Sequence, residues 1–210
     1  VYNREEAKAV VSENPDSFLA IDRAETSFPD DVDTYDERVY VKAHDLLWDK
    51  INKGDFVTED KKVYYIYELI MDGRSQTGIV ACASIDDYVN NIIKKHENTR
   101  ADKEVDRIKH VTACEAQTGP IFLAYRSNDA INSIVNRIKN NAPLYDFTAE
   151  DGITHKAWII DEDADIAKIE DAFSSMDSIY IADGHHRCAS ACKVGLKKRE
   201  ENPSYTGDEE

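Results

Sequence analysis

Five consecutive residues, Asp183-Gly184-His185-His186-Arg187, bring together the side chains that phosphate chemistry uses. They follow the short apolar run Ile179-Tyr180-Ile181-Ala182 and precede the small-residue stretch Cys188-Ala189-Ser190-Ala191. This order reads as a strand, a tight turn and a helix N-terminus. The first turn of a helix offers unpaired backbone N–H groups and the positive end of the helix dipole to an anion. Gly184 lets backbone approach a ligand closely. Arg187 can grip two phosphate oxygens at once. Asp183 can hold a metal ion or take a proton from an attacking hydroxyl. His185 and His186 can donate hydrogen bonds or move protons near neutral pH. The plainer alternative is that Asp-Gly is an ordinary turn and Asp183 caps the helix.

The pentapeptide resembles the nucleotide-binding motif of the ParB/sulfiredoxin-like superfamily, and most closely its free serine kinase branch. Further stretches are similar to an uncharacterised bacterial and archaeal domain family that carries the same DGHHR motif. These are residues 64–71, Gly73-Arg74-Ser75-Gln76-Thr77-Gly78, Lys94-Lys95-His96-Glu97-Asn98-Thr99-Arg100 and Gln117-Thr118-Gly119-Pro120. The superfamily resemblance implies a nucleotide-binding core around the C-terminal strand, turn and helix. It further implies ATP or ADP with Mg²⁺, and a small hydroxyl metabolite, plausibly free serine, as phosphoryl acceptor. Gly184, His185 and Arg187 would then hold the nucleotide, Asp183 the metal, and Asp183 and His186 would act in catalysis. Sulfiredoxins have a reactive cysteine where this chain has His185, which argues against sulfinic-acid reduction. ParB clamps have an acidic residue followed by arginines there, which argues against DNA segregation. A regulatory module that binds nucleotide with little or no catalysis is the alternative function.

A second cluster of charge, residues 94–107, includes Lys94, Lys95, Arg100, Lys103 and Arg107. Lys94, Lys95 and Arg100 can close over phosphates, with Glu97 or Asp102 as base or metal ligand. The competing reading is a solvated helix face with ordinary ion pairs. His96-Glu97 is not a zinc-protease motif, because Arg100 stands where the second histidine belongs. Glu25, in the loop after Arg23, is a further candidate acid, since the serine kinases place a catalytic glutamate early in the chain. The four cysteines, Cys82, Cys114, Cys188 and Cys192, form no Cys-x-x-Cys pair. Such usage fits a reducing compartment. Cys82 is expected to be a buried small hydrophobe. Cys188 and Cys192 share a helix face. They could join His185 at zinc, but helix packing explains them more simply.

The elements that must position these groups follow from periodicity and punctuation. Helices are expected over residues 3–13 (capped by Asn3), 33–53 (stopped by Gly54), 85–93, 101–116, 129–139, 163–175 and from the motif to about 201. Strands are expected over 17–22, 63–71, 75–84, 121–126, 144–148, 154–160 and 178–182. Asp72-Gly73 and Asp151-Gly152 mark hairpins. Residues 25–33, with Pro29, read as a loop. The triplet Gln-Thr-Gly opens a strand at both 76–78 and 117–119, by coincidence, by duplication or because two strand starts line one pocket. The sum is an α+β fold with a mixed sheet and flanking helices. It reads as one domain over 1–210 with a soft boundary near 140–143 and an acidic, frayed tail from 202.

The chain has 210 residues, 41% of them hydrophobic, which is enough for a packed core. Its 42 acidic and 26 basic residues give a net charge of −16. Such a surface repels nucleic acid and anionic membranes. It still permits a local basic pocket for a small anion. No apolar run approaches the roughly 20 residues of a membrane span. No signal peptide is visible, and a cytoplasmic location is expected from the chemistry. The chain begins at Val1 rather than Met and is expected to be a piece of a longer protein.

Overall fold

The computed structural model describes residues 2–206 and has an α+β architecture with two sheets. Among the described residues there are eight α-helices, one 3₁₀ turn and seven strands. The chain forms two compact units, each drawn from separated stretches of sequence. The first takes its described residues from Val1–Thr58, Tyr88–Ala124 and Tyr180–Glu210. The second is built from Glu59–Asp87 and Tyr125–Ile179, and residues 140–143 lie inside it.

In the first unit, α1 (Arg4–Glu13) starts with a capping box between Asn3 and Glu6. Helix α3 (Glu37–Lys53) begins where the Asp36 side chain accepts a bond from the Arg38 N–H. It ends at Gly54, whose φ of 82° is left-handed. Lys50 and Lys53 face the negative end of its dipole. The stretch 17–22, expected to be a strand, instead forms the short helix α2 (Leu19–Asp22). Ala20, Ile21 and Ala24 are buried there, a helical rather than an alternating spacing, and the Ser17 hydroxyl accepts from the Leu19 N–H. The 3₁₀ turn Ala24–Ser27 follows, within the stretch expected to be a loop. Ile21, Ala24, Val39, Ala43, Leu47 and Cys114 make this unit's core.

Helix α4 is shorter than its pattern implied. It covers Ile85–Val89 and stops before Asn91, whose φ is 58°. Ile93 then enters β3 (Ile93–Lys94). Helix α5 spans Ala101–Cys114, and β4 is Phe122–Ala124. Strand β7 (Ile179–Asp183) lies between β3 and β4 in a three-stranded sheet and runs into α8 (His185–Glu201). Helix α8 buries Cys188, Ala189, Ser190, Cys192 and Val194 and packs on α5. Cys188 and Cys192 are therefore packing residues, and burial pushes the Cys188 thiol up to about 11. The tail expectation extends onto residues 207–210, outside the described part. Arg199 lies 4.8 Å from the centre of the Tyr205 ring.

The second unit is a four-stranded sheet in the order β2-β1-β6-β5, with every neighbouring pair antiparallel. Its strands are β1 (Tyr64–Met71), β2 (Arg74–Val80), β5 (Tyr145–Thr148) and β6 (Thr154–Ile160). Two sheets thus replace the single mixed sheet expected from sequence. The β1–β2 turn has Asp72 at φ 51° and Gly73 at φ 75°, the geometry of a tight hairpin whose twist matches its strands. Helices α6 (Asp129–Ile138) and α7 (Asp163–Ser174) supply Ile134, Ile138 and Ile169 to a core with Ile66, Trp158 and Ile160. Beside this core, Lys139 Nζ reaches Glu68 at 2.7 Å and Thr77 at 3.0 Å. The first Gln-Thr-Gly triplet therefore serves the sheet unit, and the second lies in the other unit. Cys82, expected inside, is exposed because β2 ends at Val80.

Each unit carries one tryptophan, Trp48 in the first and Trp158 in the second. In a Trp48→Phe background the remaining emission reports the sheet unit alone. Ile66→Ala, at a fully buried position, is expected to destabilise that unit by about 2–5 kcal/mol in urea unfolding. An unchanged midpoint would refute the core assignment.

Candidate functional site

The junction of β7 and α8 adopts the strand, turn and helix order read from the motif. Gly184 sits at the N-cap with φ 91° and ψ 33°, a left-handed conformation that favours glycine. No side chain caps this helix, so Asp183 does not serve as its cap. Asp183 Oδ2 instead accepts from Arg187 Nη2 at 2.5 Å. Arg187 Nη1 donates to the Pro120 carbonyl. One guanidinium therefore fastens the end of β7 to the segment that leads into β4. The space it occupies exists because two glycines have no Cβ. A Cβ on Gly119 would meet Arg187 Cδ at 3.0 Å, and one on Gly184 would meet its Nε at 3.1 Å.

Beside this tie lies a cleft of about 130 Å³, lined by Asp22, Arg107, His110, Val111, Gln117, Thr118, Gly119 and Arg187. It presents two guanidinium groups, one carboxylate and one hydroxyl. Thr118 donates to Asp22 Oδ1 at 3.0 Å. Arg107 is steadied by Asp106, through Nη2 at 2.9 Å and Nε at 3.1 Å. Asp106 in turn accepts from the Tyr40 hydroxyl at 2.9 Å. His110 is buried, with Nε2 3.3 Å from the Ile21 carbonyl. Burial, and then the nearby Arg107 charge, hold its pKa below the ordinary histidine value.

The segment after β3 meets the motif from the other side. His186 Nε2 accepts the Arg100 backbone N–H at 3.0 Å. While it accepts this bond, Nε2 is the acceptor nitrogen of the ring and Nδ1 is left to donate. Glu97 Oε1 lies 3.3 Å from His185 Nδ1, and His185 is buried. The His96 ring meets the His185 ring edge-on, with centroids 4.4 Å apart. Lys94 is carried next to the motif by β3, and Lys95 Nζ lies 4.9 Å from the centre of the Tyr88 ring. None of Lys94, Lys95 and Arg100 lines the cleft. Arg107 is the one member of the basic cluster that does. The Asp102 side chain lies outside the described part.

Glu25 is 2% exposed, and its carboxylate accepts from Arg23 Nε at 2.6 Å. It is not among the residues around the cleft, whereas Asp22, three residues earlier at the end of α2, is. Sequence reading missed Asp22, His110 and Thr118. The available signal was the Gln-Thr-Gly-Pro stretch at 117–120, which had already matched the family pattern.

A family model described as "protein of unknown function (DUF1015)" matches residues 1–210. The chain belongs to this family. No curated protein and no solved structure matches it. In this family member, the groups suited to chemistry come from four places: the end of α2, one face of α5, the turn before β4 and the entry to α8.

The depressed His110 value has a consequence for stability. The unfolded chain takes up this proton as pH falls through about 6.5, before the folded chain does. The stability is therefore complete above that value and is lost below it, by up to about 1.4 kcal/mol per pH unit. Urea unfolding between pH 7.5 and 5.5 should show this loss, and His110→Gln should flatten it. Equal slopes in both proteins would contradict the role of burial at His110.

Proposed function

We propose that the chain is a nucleotide-dependent phosphotransferase that acts on a small hydroxyl metabolite, with free serine as the first acceptor to try. One observation carries the reading: Arg107 and Arg187, with Thr118 and Asp22, surround a single cleft beside the uncapped start of α8. Two guanidiniums and a helix N-terminus are complementary to a phosphate chain. The cleft, at about 130 Å³, falls below the roughly 300 Å³ of sites that enclose a drug-sized ligand. It suits phosphate groups, with the base and ribose outside. The likeness of Asp183 to Arg187 to the serine kinase motif supports ATP or ADP as donor.

The residues divide the work by position. Arg187 is held on two sides and needs no reorganisation to face developing phosphoryl charge, the condition under which a donor contributes most. Arg107 supplies a second cation, braced by Asp106. Asp22 already accepts a bond from one hydroxyl, that of Thr118, and is the carboxylate best placed to take a proton from a substrate hydroxyl. Asp183 Oδ2 is committed to Arg187, which leaves Oδ1 for a cation. A single carboxylate oxygen together with phosphates fits Mg²⁺, whose chemistry here would be to neutralise phosphate charge. His186 orients the α8 entry through its bond from Arg100.

A second reading is a nucleotide-binding regulatory module with little or no catalysis. It is favoured by the pairing of three candidate carboxylates with cations or imidazole: Asp183 with Arg187, Glu25 with Arg23 and Glu97 with His185.

The test is incubation of the chain with labelled ATP or ADP, Mg²⁺ and a panel of hydroxyl metabolites. Transfer of label to one acceptor is expected, with Arg187→Ala lowering turnover at least about a hundredfold. Arg187→Lys should not restore it, because one ammonium cannot reproduce the planar fork between Pro120 and Asp183. Nucleotide binding without transfer to any acceptor would favour the regulatory module. Neither binding nor transfer would refute both readings.

A further inference from the structure

His96 and Glu97 follow β3, and His185 opens α8 directly after β7. Since β3 and β7 are neighbours in one sheet, strand pairing brings three residues distant in sequence side by side. One ligand atom from each lies within 4.8 Å of the other two. His185 is 5% exposed, and its Nε2 is buried with no hydrogen-bond partner. Its Nδ1 lies 3.3 Å from Glu97 Oε1, longer than the roughly 2.7–2.9 Å of a charge-assisted bond. The ligand atom that His185 presents beside Glu97 is therefore Nδ1, and its unsatisfied Nε2, across the ring, is a separate group.

We propose that His96, Glu97 and His185 bind a divalent transition-metal ion of the Zn²⁺ class. Two imidazole nitrogens and a carboxylate oxygen suit Zn²⁺, Fe²⁺ or Ni²⁺, and the nitrogens disfavour Mg²⁺ and Ca²⁺. The spacing agrees. Ligands about 2.0–2.1 Å from a tetrahedral metal stand about 3.4 Å from each other. The 3.3 Å between His185 and Glu97 is that edge. His96 and Glu97 are exposed and can turn to close the remaining distance, while His185 is held by its place in the fold. Three protein ligands leave at least one coordination position for water or an anion, as in metal sites that take part in chemistry. None of the three residues lines the Arg107–Arg187 cleft, so this site stands whether or not that cleft transfers phosphate.

The probes are Co²⁺ and Zn²⁺ added separately to the chelator-stripped chain. One equivalent of Co²⁺ should bind with the visible absorption of a low-coordinate site and be displaced by Zn²⁺, but not by excess Mg²⁺. His96→Ala and Glu97→Gln alter exposed side chains and should keep the fold by circular dichroism. Each should weaken Zn²⁺ binding at least about tenfold. His155→Gln, in the sheet unit, should leave it unchanged. Absence of stoichiometric binding, retention of wild-type affinity in both ligand variants, or displacement of Co²⁺ by Mg²⁺ would overturn the assignment.

Discussion

The bridge made by Arg187 between the Pro120 carbonyl and the Asp183 carboxylate is the contact on which the candidate site depends. Strand β7 must end and α8 must begin within a single residue, Gly184. The turn before β4 must come close enough to be held. Antiparallel pairing of β4 with β7 brings Phe122 opposite Asp183, and a register shift follows at once between Phe122 and Leu123. The guanidinium closes that corner. Glycines at 119 and 184 are what the corner requires, because a methyl group at either would press on the arginine. The same tie holds one of the two cationic walls of the cleft in place.

Around that corner, two kinds of polar contact do different jobs. Glu104 on α5 accepts from Lys193 on α8 and from the Thr99 hydroxyl, and these bonds hold its carboxyl below the usual range. That ionised network clamps the two helices that carry Arg107 and Arg187. Asp22, Thr118 and Arg107 instead face open space, where a ligand can compete for their bonds. His185 belongs to neither group, since it is buried beside an exposed histidine and glutamate with one nitrogen unbonded. The fold satisfies the Glu104 carboxylate with two partners and leaves one nitrogen of this imidazole without any.

Much of this was legible in the sequence, for identifiable reasons. Asn3 and Gly54 acted through local bonds and dihedrals, so the start of α1 and the end of α3 followed from residue type, whereas α3 starts after the Asp36 cap rather than at the expected 33. Asp72-Gly73 fixed a hairpin in the same way. Leu19–Asp22 misled because Phe18-Leu19-Ala20-Ile21 is an unbroken apolar run too short to reveal a helical period. The two-unit division was hidden because the sheet unit is discontinuous. It closes when β1 pairs with β6, across the inserted 88–124 stretch. Placement of Lys94 to Arg100 beside the motif came from the family pattern. That Arg107 and Asp22 rather than Lys95 and Glu25 face the cleft is a matter of how separate elements pack, which charge patterning does not encode.

A crystal structure of the chain grown with Mg²⁺ and a non-hydrolysable nucleotide tests the anion-receiving corner most directly. The account requires phosphate oxygens within hydrogen-bond distance of Arg107, Arg187 and the first backbone N–H groups of α8. Phosphates bound elsewhere, or a bound nucleotide that leaves both guanidiniums facing water, would contradict it.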